Sequence, residues 1–292
     1  MLLGKKMIIK KKIAFIVFII IFVVLFLEIQ NDEIIVQQYG VECDISDEIR
    51  IIQLTDLHNL EFGDSNIDLV SRVAEQAPDL IFMTGDMFNQ EDNLGVIYNC
   101  VEQLSEIAPV YFSYGNHEMC WENGTEAELR TALTEAGATV LNCEYVDVEV
   151  NGEKLRIGGY YGYYRAPHMH TADENEQKAD IAFADNFENT DNIKLLLCHI
   201  PTAWVDWGYI DKYPVDVVFT GHYHGGQIRI PFVGGLYAPY VGWFPENTKG
   251  IFEGEEATCI LSTGLGSENW IPRINNPAEI VVVDLIPAKM DK

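Results

Sequence analysis

Short, largely apolar runs recur along this chain, and between them lie amphipathic stretches of a different period. Glu48 to Thr55, Leu80 to Thr84, Val110 to Tyr114, Ile193 to Cys198 and Val215 to Thr220 are such runs, rich in β-branched and aromatic residues. Their length and composition predict strands. Little polar alternation interrupts them, as expected of strands buried on both faces. Over 66–77, apolar residues at 67, 69, 70, 73, 74 and 77 follow a helical period, and Pro78 ends it. Helices are also predicted over 94–107, 125–136 (stopped by Gly137) and 173–188. Val146 to Val150 and Lys154 to Ile157 flank Asn151-Gly152, the pattern of a tight hairpin. Further strands are expected at 258–262 and 279–285. β-α-β units followed by β-rich segments predict one α/β domain over 48–287, with two packed sheets and outer helices.

The first residues follow another pattern. Lys5, Lys6, Lys10, Lys11 and Lys12 precede an unbroken apolar stretch from Ile13 to Leu27. That stretch is shorter than the about 20 residues a spanning helix needs. Met7, Ile8, Ile9 and Ile29 extend it, with lysines snorkelling between them. No small-residue cleavage site follows Leu27, which favours an uncleaved signal anchor over a cleaved signal. The expected organisation is a basic cytoplasmic N-terminus (1–12), a transmembrane signal anchor (13–29), a polar stalk (30–47), the domain, and a tail (288–292). Lysines stay on the cytoplasmic side, so the domain is expected on the outer face of the cell membrane.

The chain has 292 residues, 48% of them hydrophobic, and a formal charge of −26. The first 27 residues contribute five lysines and no acid, which leaves −31 on the remainder. Such a surface repels nucleic acid, so no nucleic-acid partner is expected. Six cysteines without Cys-x-x-Cys spacing form no disulfide framework, although one bridge involving Cys120 or Cys143 fits an external domain.

Charge and cysteine usage leave the chemistry to the strand ends. Asp56-Leu57-His58, Gly85-Asp86, Gly115-Asn116-His117-Glu118, Cys198-His199 and Gly221-His222-Tyr223-His224 each follow an apolar run. Strand ends of one α/β sheet converge at its carboxyl edge, so these fragments can meet. Singly, each is ordinary turn chemistry. Together they hold five of the seven histidines. Extended geometry would place Asp56 and His58 on one side, and likewise His222 and His224. An Asp, His and Asn donor set suits two divalent transition metals, Mn²⁺, Fe²⁺/Fe³⁺ or Zn²⁺, better than Ca²⁺.

The ordered set Asp56-x-His58, Gly85-Asp86, Gly115-Asn116-His117-Glu118, His199 and Gly221-His222-x-His224 resembles the calcineurin-like metallophosphoesterase superfamily. The resemblance covers about 48–286. Gly221 to Pro231, Gly264-Leu265-Gly266-Ser267, Pro272-Arg273 and Pro277 to Ile280 resemble its bacterial membrane-anchored branch, related to the transmembrane protein with a metallophosphoesterase domain. It implies a four-layer α/β/β/α sandwich of the metallo-dependent phosphatase fold. It also implies a first metal on Asp56, His58 and His224, a second on Asn116, His199 and His222, and Asp86 bridging them. His117 would be no ligand but the general acid or a clamp on phosphate. Glu118 departs from the family pattern, where many relatives carry Asp.

The expected function is hydrolysis of phosphodiester, phosphoanhydride or phosphomonoester bonds of lipid-linked or nucleotide-linked substrates. The attacking group would be a hydroxide shared by the two cations. A catalytically inactive metal-binding sensor or receptor domain is the alternative. His168 and His170 have ligand-like spacing but are expected to be exposed loop residues. Tyr160, Tyr161, Tyr163 and Tyr164 are expected in packing rather than in a lipid-facing rim, and some of Trp204, Trp207, Trp243 and Trp270 at a membrane interface.

Overall fold

Ile51 and Ile52 are neighbours on one strand and both fully buried, yet they belong to different cores. Successive side chains on a strand point to opposite faces, so a strand apolar at both parities must be covered twice. That requirement sets the layers seen in the computed structural model, which describes residues 11, 12, 15, 17, 18, 33–92, 94–267 and 272–288.

The first sheet has the order β1 (Ile34–Cys43), β16 (Ala278–Pro287), β2 (Ile49–Leu54), β3 (Leu80–Met83), β4 (Val110–Ser113), β5 (Ala138–Leu141). All its pairings are parallel except β16 with β2. The second runs β14 (Gly250–Glu253), β15 (Thr258–Leu261), β9 (Val217–Thr220), β8 (Ile193–Cys198), β7 (Glu153–Tyr160), β6 (Glu144–Val150). Between β9 and β14 in the chain lie two short hairpins, β10 (Arg229–Ile230) with β11 (Gly234–Gly235) and β12 (Tyr237–Ala238) with β13 (Gly242–Trp243).

Ile49, Ile51, Phe82 and Val283 of the first sheet pack against Leu195, Leu197, Val217 and Phe219 of the second. The outer face of the first sheet is covered by α1 (Ile67–Ala74), α2 (Gly95–Ser105) and α4 (Glu126–Glu135), through Leu69, Val73, Ile97, Val101, Leu129 and Leu133. The single-turn α3 (Asn116–Met119) lies between α2 and α4 in the chain. On the other side, Phe183 and Phe187 of α5 (Glu174–Glu188) meet Leu196 and Val218 beside Trp204 of α6 (Thr202–Val205). The result is the four-layer α/β/β/α order expected. Thr125 caps α4 in a reciprocal box with Glu128, and Asp173 caps α5.

Several expectations change. Residues 34–43, read as part of a polar stalk, form β1, an edge strand running parallel to β16. Val36, Gln38, Gly40 and Glu42 alternate outward while Ile34, Val41 and Cys43 are buried. The expected span at 13–29 and tail at 288–292 lie almost wholly outside the described residues. Among the described residues, no helix is long and apolar enough to cross a membrane. All six cysteines are free thiols, so the possible bridge is absent. Cys143 instead donates to Asp180 at 3.2 Å. Tyr160 and Tyr164 are core residues, as is Trp204, whereas Trp243 is exposed. Trp270 lies outside the described residues.

Candidate metal centre

The carboxyl ends of β2, β3, β4, β8 and β9 meet at one edge of the sandwich, and each delivers one of the histidine or aspartate fragments. Two loops approach so closely that a side chain at Gly115 would collide with the Asp86 carboxylate. Gly85, at φ +92°, would in turn run into the Gly115 backbone. Glycine is required at both positions, at Gly115 by the contact and at Gly85 by the backbone angle as well.

The backbone does not stay extended through the motifs. Asp56, His58, Asp86, His222 and His224 all adopt positive φ, between 46° and 70°. Left-handed residues cost on the order of 1 kcal/mol or more each, and Asp, Asn and His tolerate them best. The Asp56–His58, Asp86 and His222–His224 motifs therefore turn sharply at the sheet edge.

Donor atoms gather into overlapping groups. Asp56, His58 and His224 form one, and Asp86, His199 and His222 another, with the ligand atoms of each group within 4.8 Å of one another. Asp86 also groups with His58 and His117, so its carboxylate faces both sides. All of these except His117 are buried. The His58 ring stands 4.8 Å from that of His117 and 5.0 Å from that of His224, and the His199 ring 5.0 Å from that of His222. Asn116 opens α3 with its amide oxygen buried. Seven of the eight residues singled out in the sequence fall in these groups, and Asn116 immediately precedes His117 in the chain. His168 is exposed, as expected, but His170 is not, since it pairs with Asp180 at 3.0 Å.

Neighbouring groups set which nitrogen each imidazole presents. His199 Nδ1 donates to the Thr84 carbonyl at 2.8 Å, which turns Nε2 toward Asp86 Oδ2 at 3.0 Å. His58 Nδ1 donates to the Asn89 amide oxygen at 2.9 Å, while the Asn89 amide group donates to the His58 carbonyl and to Asp92. Such bonds fix the tautomer and aim the other nitrogen inward. The His222 N–H donates to both Asp56 oxygens at 3.1 Å, and the His117 N–H donates to Asp86 Oδ1 at 2.9 Å.

Several inward-facing atoms are left over. His58 Nε2, Asn116 Oδ1 and both ring nitrogens of His222 and His224 are buried with no hydrogen-bond partner among the described residues. At about 1–3 kcal/mol for each unpartnered buried group, the cluster is a heavy cost against a domain's usual margin. Lone pairs of N and O type converging without donors fit cations, and that donor set fits transition metals. Protonation states agree for His222 and His224 and not for His199, whose pKa burial would lower but Asp86 outweighs, raising it to about 9. Burial, then His199, pushes His222 down to about 3, and burial holds His224 well below the ordinary histidine range. Both imidazoles are therefore neutral, as ligands must be. Burial would raise Asp86, but His199, His117 and His58 outweigh it and hold its carboxyl well below the usual range.

Sequence reasoning noted Glu118 only as a departure and missed its place. It is buried and accepts from the backbone N–H groups of Asp86, Met87 and Gly115, each at 2.8 Å. One side chain thereby clamps the loop carrying Asp86 to the loop carrying Asn116 and His117. Burial, then Asp86, pushes its carboxyl up to about 7. Gln53 was also missed. Its amide joins the two sheets beneath the site by donating to Thr84 Oγ1 at 3.0 Å and the Thr220 carbonyl at 2.9 Å. Arg273, named in the sequence only as part of the family pattern, donates to the carbonyls of Thr263, Gly266, Asn276 and Pro277 and so holds the loop behind Asp56. Burial lowers its pKa to about 10. A buried polar residue inside an apolar run, as at Gln53, was the available signal.

The profile of the calcineurin-like phosphoesterases matches residues 49–226, more than half of the chain and every one of these fragments. The chain belongs to that family. It is similar to the phosphodiesterase YaeI of Escherichia coli, 26% identical over 81% of this chain and 82% of that one. It is also similar to the UDP-2,3-diacylglucosamine pyrophosphatase LpxG of Chlamydia muridarum, 24% identical over 80% of this chain and 83% of that one. Among solved structures, a 5′-nucleotidase precursor from Thermus thermophilus superposes with a TM-score of 0.45 at 17% identity, over 82% of this chain and 55% of that one. This family member is a hydrolase of phosphate esters, its family uses divalent metals, and its His and Asp clusters are compatible with a dinuclear site.

Proposed function

We propose that this phosphoesterase is membrane-anchored through residues 13–29, with its domain on the outer face, and hydrolyses phosphodiester or phosphoanhydride bonds in a lipid-linked substrate. The single observation that carries the hydrolytic reading is the convergence of buried, unpartnered nitrogen and oxygen atoms at one sheet edge. Asp56, His58 and His224 would hold one cation, Asn116, His199 and His222 the other, and Asp86 would serve both. When bound, two such cations supply a nucleophile from water at neutral pH and neutralise phosphoryl charge.

The protein's own groups do the rest. Asp86 and Asp56 are each anchored by backbone N–H groups, so neither carboxylate is free to swing. Glu118 keeps the Asp86 loop and the His117 helix in register. His117, at the start of α3, is the least enclosed of the site histidines, although its Nδ1 is itself buried. That position suits a proton donor to the leaving oxygen, a task for which imidazole's ordinary pKa is apt.

Two features support a lipid-linked substrate. A similar protein is named as a pyrophosphatase of a diacylated nucleotide sugar. An apolar segment near the N-terminus of this chain, preceded by lysines, would hold the site near lipid. The test is incubation of the full chain, loaded with Mn²⁺, with phosphomonoesters, soluble diesters and lipid pyrophosphates. Turnover of lipid diphosphates above the soluble esters is the expected result. Metal-loaded protein that turns over none of them overturns the reading, and preference for soluble monoesters removes its lipid part.

A further inference from the structure

Five residues separate the His222–His224 motif from sixteen consecutive residues, 230–245, that carry no charge in a chain whose formal charge is −26. They form most of the two short hairpins, β10–β11 and β12–β13. Their turns and edges expose large apolar side chains. Phe232 is fully exposed, Val233 is 61% exposed, Tyr240 72%, Trp243 66% and Phe244 59%. Phe232, Tyr240 and Phe244 also take positive φ, 67°, 59° and 55°. Bulky residues rarely adopt that conformation. Ordinary folding would turn such side chains inward, and here the backbone holds them in water. Exposed apolar surface on this scale marks an interaction site.

The hairpins are fastened to the metal centre. The Leu236 N–H donates to the carbonyls of Gly226 and Ile228, and Arg229 donates to the Gly225 carbonyl at 2.7 Å. The Tyr240 ring stacks on His222, with centroids 5.2 Å apart and planes 17° from parallel. The chain enters the domain at the same edge. Ile34, the first residue of β1, lies opposite Ala278 in register. Ala278 closely follows Asn275 and Asn276, whose amides donate to the carbonyls of Arg229, His224 and Gln227. So the end of the domain that receives the N-terminal segment also carries the metal centre and the aromatic hairpins.

We infer that the 230–244 hairpins dock onto the surface of the bilayer that anchors the chain, turning the metal centre toward headgroup phosphates. The inference rests on the anchored, lipid-directed reading above and gives it a contact surface. Chemistry favours a bilayer as the occupant. Trp, Tyr and Phe partition to the region between headgroups and acyl chains. An uncharged tip on a strongly acidic body inserts there while the body stays in water. The substrate class that follows is a phosphorylated lipid reached without leaving the membrane.

The experiment reconstitutes the full chain in phosphatidylcholine vesicles containing brominated phosphatidylcholine, a quencher within the bilayer. Wild-type tryptophan emission should be quenched, and the Trp243→Phe chain should lose that component. Identical quenching in the two chains overturns the inference, as does loss of quenching in a concentration-dependent dimer that buries the patch. This readout needs no turnover, so it separates failed docking from failed catalysis. A second arm compares Phe232→Asp/Trp243→Asp/Phe244→Asp with wild type. Turnover of a phospholipid embedded in the vesicle should fall by about tenfold or more, while hydrolysis of soluble bis(p-nitrophenyl) phosphate is kept. Equal loss on both substrates also overturns it.

Discussion

Two histidine–carboxylate pairs in this protein share one contact distance and differ in everything around it. His199 Nε2 lies 3.0 Å from Asp86, and His170 Nε2 lies 3.0 Å from Asp180. Around Asp180 every polar group is answered. Tyr160 donates to it at 3.1 Å and Cys143 at 3.2 Å, while the Tyr163 N–H reaches His170 Nδ1 at 3.4 Å. Burial would raise the Asp180 carboxyl, but these bonds outweigh it and hold it below the usual range. Around Asp86, by contrast, the neighbouring His222 nitrogens and Asn116 oxygen have no hydrogen-bond partner among the described residues. The pairing itself therefore says little. Unanswered lone pairs, held in place by bonded backbones, distinguish a centre built for cations from a network that closes a loop.

The comparison can be broken most sharply at Asp86. Replacing Asp86 with Asn should lower turnover by at least about a thousandfold and reduce bound metal per chain, read by elemental analysis. Full metal content with normal turnover would place the centre elsewhere. His117→Ala should retain both metals yet lose about 10²–10⁴-fold in kcat, with the loss smallest for substrates whose leaving group needs no proton. Loss of metal in that variant would make His117 a ligand instead. Glu118→Gln keeps the size but weakens the three N–H contacts, so metal affinity or turnover should drop by about 10–100-fold. A titration with Mn²⁺ monitored by activity checks this, and an unchanged curve removes the clamp. The smallest effect belongs to the satisfied pair. His170→Ala should cost about 1–3 kcal/mol in stability, seen as a lower urea midpoint, while turnover of a soluble ester stays unchanged. A collapse of catalysis without loss of stability would show that the Asp180 network also serves the reaction.

Much of this was legible in advance where local pattern and tertiary demand agree. The strand over Ile193 to Cys198 is placed identically by sequence and structure, because a run apolar at both parities has no stable place except between two layers. Helices α1, α2, α4 and α5 fall inside their predicted ranges, each punctuated by Pro, Gly or a polar cap. β1 was misread because an edge strand is half solvated. Its Gln37, Gln38, Gly40 and Glu42 look like a linker until the partner, nearly the whole chain away, is in place. His170 was read as exposed because nothing in its own segment reveals Asp180 as its partner.

The order of residue types along the chain determined on its own which atoms could serve as donors, and that each would sit at the end of a buried strand. Both follow from local chemistry and from periodicity. Only the tertiary structure decided that five of those donors stand on left-handed turns, that Glu118 bolts two of the loops together, and that an uncharged aromatic surface shares their edge. These depend on distances between segments far apart in sequence. Such distances are set by the packing of both sheets at once, which no single stretch of the chain encodes.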